Sequence, residues 1–338
     1  MKKLRIGIFG ATGMVGQEII RVLHKRKFPV EELKFYASLK SKNRKLKSPY
    51  GIITVEDANH ADYPKLDLAF YAIGGDWPKI NAPKAIKENC IVIDNSSSFR
   101  YNKNVPLIIP EINPDAIGKS RLIANPNCTT AIAAIPLWEI YKKFGIKKIF
   151  ISTYQAASGA GKNGIDELIE GTKDILKGKK PKIGTFIHQL PFNVIPQIDK
   201  FQKNDYTKEE MKVVWETRKI FSDDKLNISC TCVRVPTIRA HGETIVVETK
   251  KDITPNSLKK LFDKTDGIRL IDNPAKFEYP MPLNSSEKYD VNVGRIRRNL
   301  VFGKKGIEFF VVGDQILKGA ALNAVQIAET LISQNRFE

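Results

Sequence analysis

Cysteine and histidine are scarce in this 338-residue chain, at four each, and the scarcity sets limits. Cys90, Cys128, Cys230 and Cys232 fit neither a disulfide framework nor the paired spacing of a zinc site, so the sequence reads as a reduced, metal-free, cytoplasmic protein. Long apolar runs are missing as well: none approaches the ~18 residues of a membrane span. The start, Met1-Lys2-Lys3-Leu4-Arg5, passes straight into an apolar strand without the h-region or cleavage site of a secretory signal. Acidic residues are in deficit, 37 against 55 Lys plus Arg, for a net charge of +18. Such an excess suits nucleic acid, an acidic membrane or phosphorylated small molecules. The basic residues are scattered, with no aromatic-interleaved patch and no recognition-helix pattern, so the charge is read as mostly solvated surface and nucleic acid is set aside as the main partner.

The length is enough for about two domains. The N-terminal third alternates strands with helical patterns: Leu4 to Phe9, a helix from Val15 to Arg26, Leu33 to Ala37, Leu68 to Ala72, a helix near Asn81 to Glu88, and Ile91 to Asp94. Alternation of this kind predicts a parallel sheet covered by helices. Gly10, Gly13 and Gly16 stand three apart between the first strand and the first helix. Glycines there let the backbone approach a pyrophosphate held on helix N–H groups, the dinucleotide-binding fingerprint, against the plainer reading of a tight turn. A cofactor with a free ribose hydroxyl wants an acid at the end of the second strand, and none stands there. Ser38, Lys40 and Ser41 follow instead, suited to a 2′-phosphate, so NADP is predicted over NAD.

From about Thr129 to Val312 the pattern changes to longer alternating strands, Lys147 to Gln155, Ile228 to Arg234, Glu243 to Thr249 and Ile307 to Val312, a sheet with one buried face. Leu317 to Ser333 reads as an apolar helix whose Gly319, Ala320, Ala321, Ala324 and Ala328 permit close packing. Within this frame Cys128, in Asn125-Pro126-Asn127-Cys128, sits between a strand-like run and a helix-like one. A helix N-terminus stabilises thiolate over thiol, which is how a small buried hydrophobe becomes a nucleophile. Gln155 ends a strand before the small-residue loop Ala156-Ala157-Ser158-Gly159-Ala160-Gly161. Arg234 lies in a β-prone strand with no acid near in sequence, leaving an internal carboxylate or a substrate carboxylate as its partner. His241 has a free pKa suited to proton transfer. Glu209 and Lys212, three apart, share a helical face.

These motifs, together with Asp94-Asn95-Ser96-Ser97-Ser98-Phe99-Arg100, Pro110-Glu111-Ile112-Asn113-Pro114 and Lys318-Gly319-Ala320-Ala321-Leu322-Asn323, resemble the aspartate-β-semialdehyde dehydrogenase family over essentially the whole chain. The resemblance implies an α/β protein: a Rossmann-type doubly wound parallel sheet over residues 1–128, joined by the C-terminal helix 313–338, and an α+β catalytic and dimerisation domain over 129–312 with a mainly antiparallel or mixed sheet. It implies NADPH-dependent, reversible reduction of L-aspartyl-4-phosphate to L-aspartate 4-semialdehyde with release of inorganic phosphate, no metal, and a homodimer. By resemblance Cys128 is the acyl-thioester nucleophile, Gln155 positions the intermediate, His241 is the general acid/base and Arg234 clamps the substrate carboxylate. Arg100 binds phosphate with Asn127 and Lys212, and Glu209, or its neighbour Glu210, meets the substrate amino group. The cofactor meets Gly10, Thr12, Gly13, Met14, Val15, Ser38, Lys40, Ser41, Ser158, Gly159 and Gln315. Lys40 stands where the family often has arginine, and Gln315 where asparagine is common. Two other readings are kept: N-acetyl-γ-glutamyl-phosphate reductase, and a non-catalytic cofactor-binding relative.

Overall fold

A computed structural model describes residues 2–337 and divides them into two compact units, one running to Asn127 and resuming at Ala320, the other Cys128–Gly319.

The first unit is built on a seven-stranded sheet. Its elements are β1 (Leu4–Phe9), α1 (Met14–Lys25), β2 (Val30–Ala37), β3 (Lys45–Ser48), β4 (Gly51–Asp57), β5 (Leu68–Tyr71), α2 (Trp77–Lys87), β6 (Ile91–Asp94) and β7 (Leu122–Ala124). The order is β3-β4-β2-β1-β5-β6-β7, parallel throughout except for the β3–β4 hairpin. Ile6, Ile8 and Phe9 of the central β1 are fully buried, as expected of a strand covered on both faces. In α1 the apolar residues Ile19, Ile20, Val22 and Leu23 recur at helical spacing and are buried together. The β3–β4 hairpin was not foreseen, because alternate lysines make Lys45–Ser48 read as a solvated loop while only Leu46 and Ser48 turn partly inward.

The second unit carries α3 (Cys128–Phe144), β8 (Ile146–Gln155), α4 (Gly161–Leu176), α5 (Lys208–Phe221), β9 (Asn227–Arg234), β10 (His241–Thr249), α6 (Pro255–Phe262), β11 (Ile268–Leu270), α7 (Pro282–Ser285), β12 (Val291–Arg298) and β13 (Gly306–Gly313). Its sheet has the order β11-β12-β13-β10-β8-β9 and is mixed: β8–β9 and β11–β12 are parallel, the other three pairs antiparallel. Strand β8 shows why the alternation was readable. Ile149, Ile151, Thr153 and Gln155 are buried, whereas Phe150 and Tyr154, on the opposite face, are exposed. Helices α3, α5 and α6 pack against strands of this sheet.

The expected helix from Leu317 is two segments. Residues Leu317–Ala321 form a wider π-type turn, and the regular α8 (Leu322–Ser333) follows within the first unit, packed on α1 and β6 with Ala324 and Ala328 fully buried. No helix among the described residues is long and apolar enough to cross a membrane, and none of their His, Cys, Asp and Glu side chains forms a metal-binding group.

Candidate active site

In the first unit the glycine turn has the shape that a dinucleotide requires. Gly10 has φ +87°, and a Cβ there would stand 2.5 Å from the Ala72 carbonyl oxygen; one on Gly16 would stand 2.3 Å from that of Gly10. Only glycine fits either place. Helix α1 starts after Gly13 with no side-chain cap and no acid in its first turn, so the positive end of its dipole is unopposed. Beside it opens a cleft of about 350 Å³ whose lining includes Gly10, Thr12, Gly13, Ser38, Asn59 and Trp77. The residues present therefore fit a dinucleotide. Met14 and Val15 form the first turn of α1. Lys40 and Ser41 stand on the short turn Leu39–Ser41 just after Ser38, and Lys40 is exposed. Trp77 donates its indole N–H to Asn59 Oδ1 at 2.8 Å. An acid does stand close in the sheet: Asp57 ends β4 opposite Ala37 of β2, but its carboxylate already accepts from the Asn59 N–H and pairs with His60.

Arg100 is buried in the same unit. Its Nε donates to the carbonyl of Asn125 and an Nη to that of Asn95, both at 2.8 Å. An asparagine ladder fixes these carbonyls: Asn323 donates to Asn125 Oδ1 at 2.6 Å, Asn125 to Asn95 Oδ1 at 2.8 Å, and Asn95 to the Tyr71 carbonyl at 3.0 Å. The ladder holds the approach to Asn127, which is itself buried.

In the second unit Cys128 is the first residue of α3 and half-buried, while Thr129 and Thr130 behind it are buried. Gln155 and Arg234 end the parallel neighbours β8 and β9 in direct register, and His241 opens β10. The Ala156 peptide joins two of them: its N–H donates to His241 Nδ1 at 3.1 Å, and its carbonyl accepts from Arg234 Nη1 at 2.6 Å. Arg234 is 6% exposed and makes no ion pair among the described residues. Burial pushes its pKa down, while Glu209 and a thiolate at Cys128 push it back up, so guanidinium and thiolate stabilise one another. His241 is fully buried, and its Nε2 has no hydrogen-bond partner among the described residues. Burial, with Arg234 next, takes its pKa down to about 3.

Gly159 closes one side. A Cβ there would lie 2.8 Å from Arg234 Nη1 and 3.2 Å from His241 Nε2. Ser158 accepts from Gln315 Nε2, and Gln315 Oε1 in turn accepts the Ala240 N–H at 2.8 Å. Ala240 has φ +68°, a left-handed conformation that an alanine adopts at a cost, immediately before the histidine. Gln155 accepts from Thr153 and donates to Glu209 Oε1 at 3.2 Å, and Glu209 Oε2 takes Lys212 Nζ at 2.9 Å. Lys212 also binds Asp199 at 2.9 Å. Burial would lower its pKa, but the two carboxylates outweigh that and the net shift is upward. Glu210 faces elsewhere, accepting from the backbone of Thr207 at 2.6 Å and of Cys232 at 2.9 Å, so it ties α5 to β9.

The chain is similar to known proteins along nearly its whole length. The description "Semialdehyde dehydrogenase, NAD binding domain" matches residues 5–120, and "Semialdehyde dehydrogenase, dimerisation domain" matches 137–318. The aspartate-semialdehyde dehydrogenase of Aquifex aeolicus is 44% identical over 335 residues, covering 98% of each chain. The chain belongs to the aspartate-semialdehyde dehydrogenase family. Another member, that of Bacillus subtilis, is 40% identical over 98% of each chain. The crystal structure of aspartate semialdehyde dehydrogenase II of Vibrio cholerae complexed with ASA superposes with a TM-score of 0.95 at 41% identity, covering 98% of this chain and 99% of that one. Membership makes the chain an oxidoreductase of amino-acid biosynthesis with a nucleotide-binding domain. Sequence reading for the family missed Ala156, Ala240 and the buried Glu243. Ala156 acts through its backbone and the strain at Ala240 is conformational, so neither leaves a chemical signal in a side chain.

Proposed function

We propose that the protein reduces L-aspartyl-4-phosphate to L-aspartate 4-semialdehyde, reversibly and with NADPH, in lysine, methionine and threonine biosynthesis. The carrying observation is Arg234: a buried guanidinium that makes no salt bridge among the described residues, with Glu209 and Cys128 acting on it only through their charge, is suited to an anionic group from outside. A substrate α-carboxylate there would set the acyl carbon against the Cys128 sulfur. Cys128 attacks, phosphate leaves on Arg100, Asn127 and Lys212, and a thioester remains. NADPH, when bound, supplies the hydride. Gln155 positions the intermediate, His241 donates or accepts the proton as the direction requires, and Glu209 takes the substrate ammonium.

We assign NADP(H) to the first unit, at Gly10, Thr12, Gly13, Met14, Val15, Ser38, Lys40 and Ser41, with Ser158, Gly159 and Gln315 from the second. The second unit is the catalytic and dimerisation domain, and the assembly is a homodimer, in keeping with the description of its matching family domain. The absence of a free acid at the end of β2 supports the 2′-phosphate.

The test is phosphate-dependent reduction of NADP by aspartate semialdehyde, wild type beside Cys128→Ala. The variant is expected to lose at least about 10⁴-fold in kcat. Wild-type activity on N-acetylglutamate semialdehyde instead would transfer the protein to the glutamyl-phosphate reductases, and no turnover of either by wild type would leave a non-catalytic relative.

A further inference from the structure

The cleft beside the glycine turn has an apolar part as well as a polar one, lined by Leu39, Ala72, Ile73 and Trp77 among others. Strands β2 and β5 flank β1 in the sheet. Leu39, just after β2, and Trp77, which opens α2 after β5, therefore reach the cleft from opposite sides of Gly10 and Gly13. Leu39 is 66% exposed, between Ser38 and Lys40. Trp77 is half-buried and held from three directions. Its ring lies 5.5 Å from that of buried Phe9 and 4.9 Å, edge to face, from that of Tyr71, and Asn59 Oδ1 takes its N–H at 2.8 Å.

The bond to Asn59 ties the indole to the turn that follows β4, on the far side of β2 from β1. That turn is itself fixed, because the Asp57 carboxylate accepts the Asn59 N–H at 3.1 Å and pairs with His60 at 3.0 Å. The acid closest in the sheet to the end of β2 is thus engaged in holding Asn59. A ring fixed in this way has little freedom left to lose when a ligand covers it.

Resting on the NADP(H) assignment above, we infer that Leu39 and Trp77 form an apolar clamp for the adenine base, with Asn59 as the positioning residue of the indole. The bonding within the cofactor decides which of its ends lies here. The ribose that carries the 2′-phosphate carries adenine on the adjacent carbon. A phosphate held by Ser38, Lys40 and Ser41 therefore leaves the base next to Leu39, which stands between them in the chain. The pyrophosphate of the same nucleotide belongs to the glycine turn at the other border of the cleft. What lies between is the apolar lining, and a flat base with an exposed π-face suits an indole. The clamp does not touch the 2′-phosphate, so it adds affinity for NADP and NAD alike, and the choice between them falls to Ser38, Lys40 and Ser41.

Calorimetric binding of adenosine 2′,5′-bisphosphate to the full-length protein tests this without turnover. Trp77→Ala is expected to raise Kd about 5- to 100-fold, the range for loss of one stacked base. Trp77→Phe, which keeps an aromatic face, should recover most of that loss. Leu39→Ala, at an exposed position, should raise Kd at least about threefold with unfolding unchanged. Fluorescence separates a clamp from a ring that only packs, because Trp77 is the one tryptophan of the first unit, Trp138 and Trp215 lying in the second. A base stacked on the indole quenches it. The bisphosphate should therefore quench wild type and not Trp77→Phe, although both bind it, and nicotinamide mononucleotide, which lacks adenine, should quench neither. Equal quenching of wild type and Trp77→Phe would overturn the inference, as would wild-type affinity in Leu39→Ala. Tighter binding to Trp77→Ala would also overturn it, by showing that the indole stands in the base's place. If Trp77→Ala does not fold, Leu39→Ala and the quenching decide. A wild type that binds neither NADP nor NAD refutes the cofactor assignment instead.

Discussion

Gly319 lies so close against Cys128 that a Cβ added to it would stand 2.6 Å from the cysteine Cβ and 3.1 Å from its Cα. The approach is fixed from below, since the Gly319 N–H donates to the Asp314 carbonyl and the Asp314 carboxylate accepts from Ile316, Leu317 and Arg239. Gly319→Ala must therefore shift the start of α3 or distort the turn. Overpacking of this kind costs about 1–3 kcal/mol, and a sulfur misplaced by about 1 Å costs on the order of 10²-fold in rate. Both Tm and kcat are expected to fall, with a changed rate of Cys128 alkylation by iodoacetamide. A variant with wild-type values for all three would show that the glycine is dispensable.

Gly159→Ala acts on the substrate clamp. Its Cβ meets Arg234 Nη1 at 2.8 Å and two atoms of the His241 ring at 3.2 Å, and Nη1 is the atom that donates to the Ala156 carbonyl, so moving the guanidinium gives up a buried hydrogen bond. Stability should fall by about 1–3 kcal/mol. The substrate clamp is displaced, so KM for aspartate semialdehyde should rise at least about tenfold, the equivalent of ~1.4 kcal/mol of binding. Unchanged KM in steady-state assays would count against Arg234 as the carboxylate site.

How much of this was readable in the chain varies by element. The glycine turn, β1, α1 and β8 announce themselves because periodicity and turn chemistry are local properties. The β3–β4 hairpin was hidden by lysines, whose stems lie along a sheet while their charges face water. Glu209 and Glu210 were indistinguishable in sequence, and only the fold turns one toward Gln155 and the other toward the Thr207 and Cys232 backbone. The pairing of Ala156 with both Arg234 and His241 joins residues 78 and 85 positions apart through main-chain atoms, which no side-chain pattern encodes.

That separation of the two glutamates predicts opposite phenotypes. Glu210→Ala removes the reciprocal cap of α5 and the acceptor for the Cys232 N–H, for a loss of about 1–3 kcal/mol in urea unfolding with kcat/KM changed little. Glu209→Gln keeps the shape and should leave Tm within a few degrees, while KM rises and kcat holds. If the two variants exchanged these effects, the ammonium site would move to Glu210.

Glu243 gives a stability prediction whose sign follows from burial alone. Its carboxyl is fully buried, neither oxygen has a partner among the described residues, and burial holds its pKa well above the usual range. Folded protein thus keeps a proton that the unfolded chain releases above about pH 4.5. Stability from this group is complete at low pH and is lost as pH rises toward the folded value, by at most about 1.4 kcal/mol per pH unit. His241, down at about 3, contributes the reverse slope, losing stability as pH falls below about 6.5, and this contribution cancels when wild type and a Glu243 variant are compared. Glu243→Gln removes only the Glu243 slope. Urea unfolding at pH 5.5 and pH 8 should show the variant gaining on wild type over that interval, by at most about 1.4 kcal/mol per pH unit. A gap that stays constant between the two pH values would mean that Glu243 is ionised in the folded protein and has a partner.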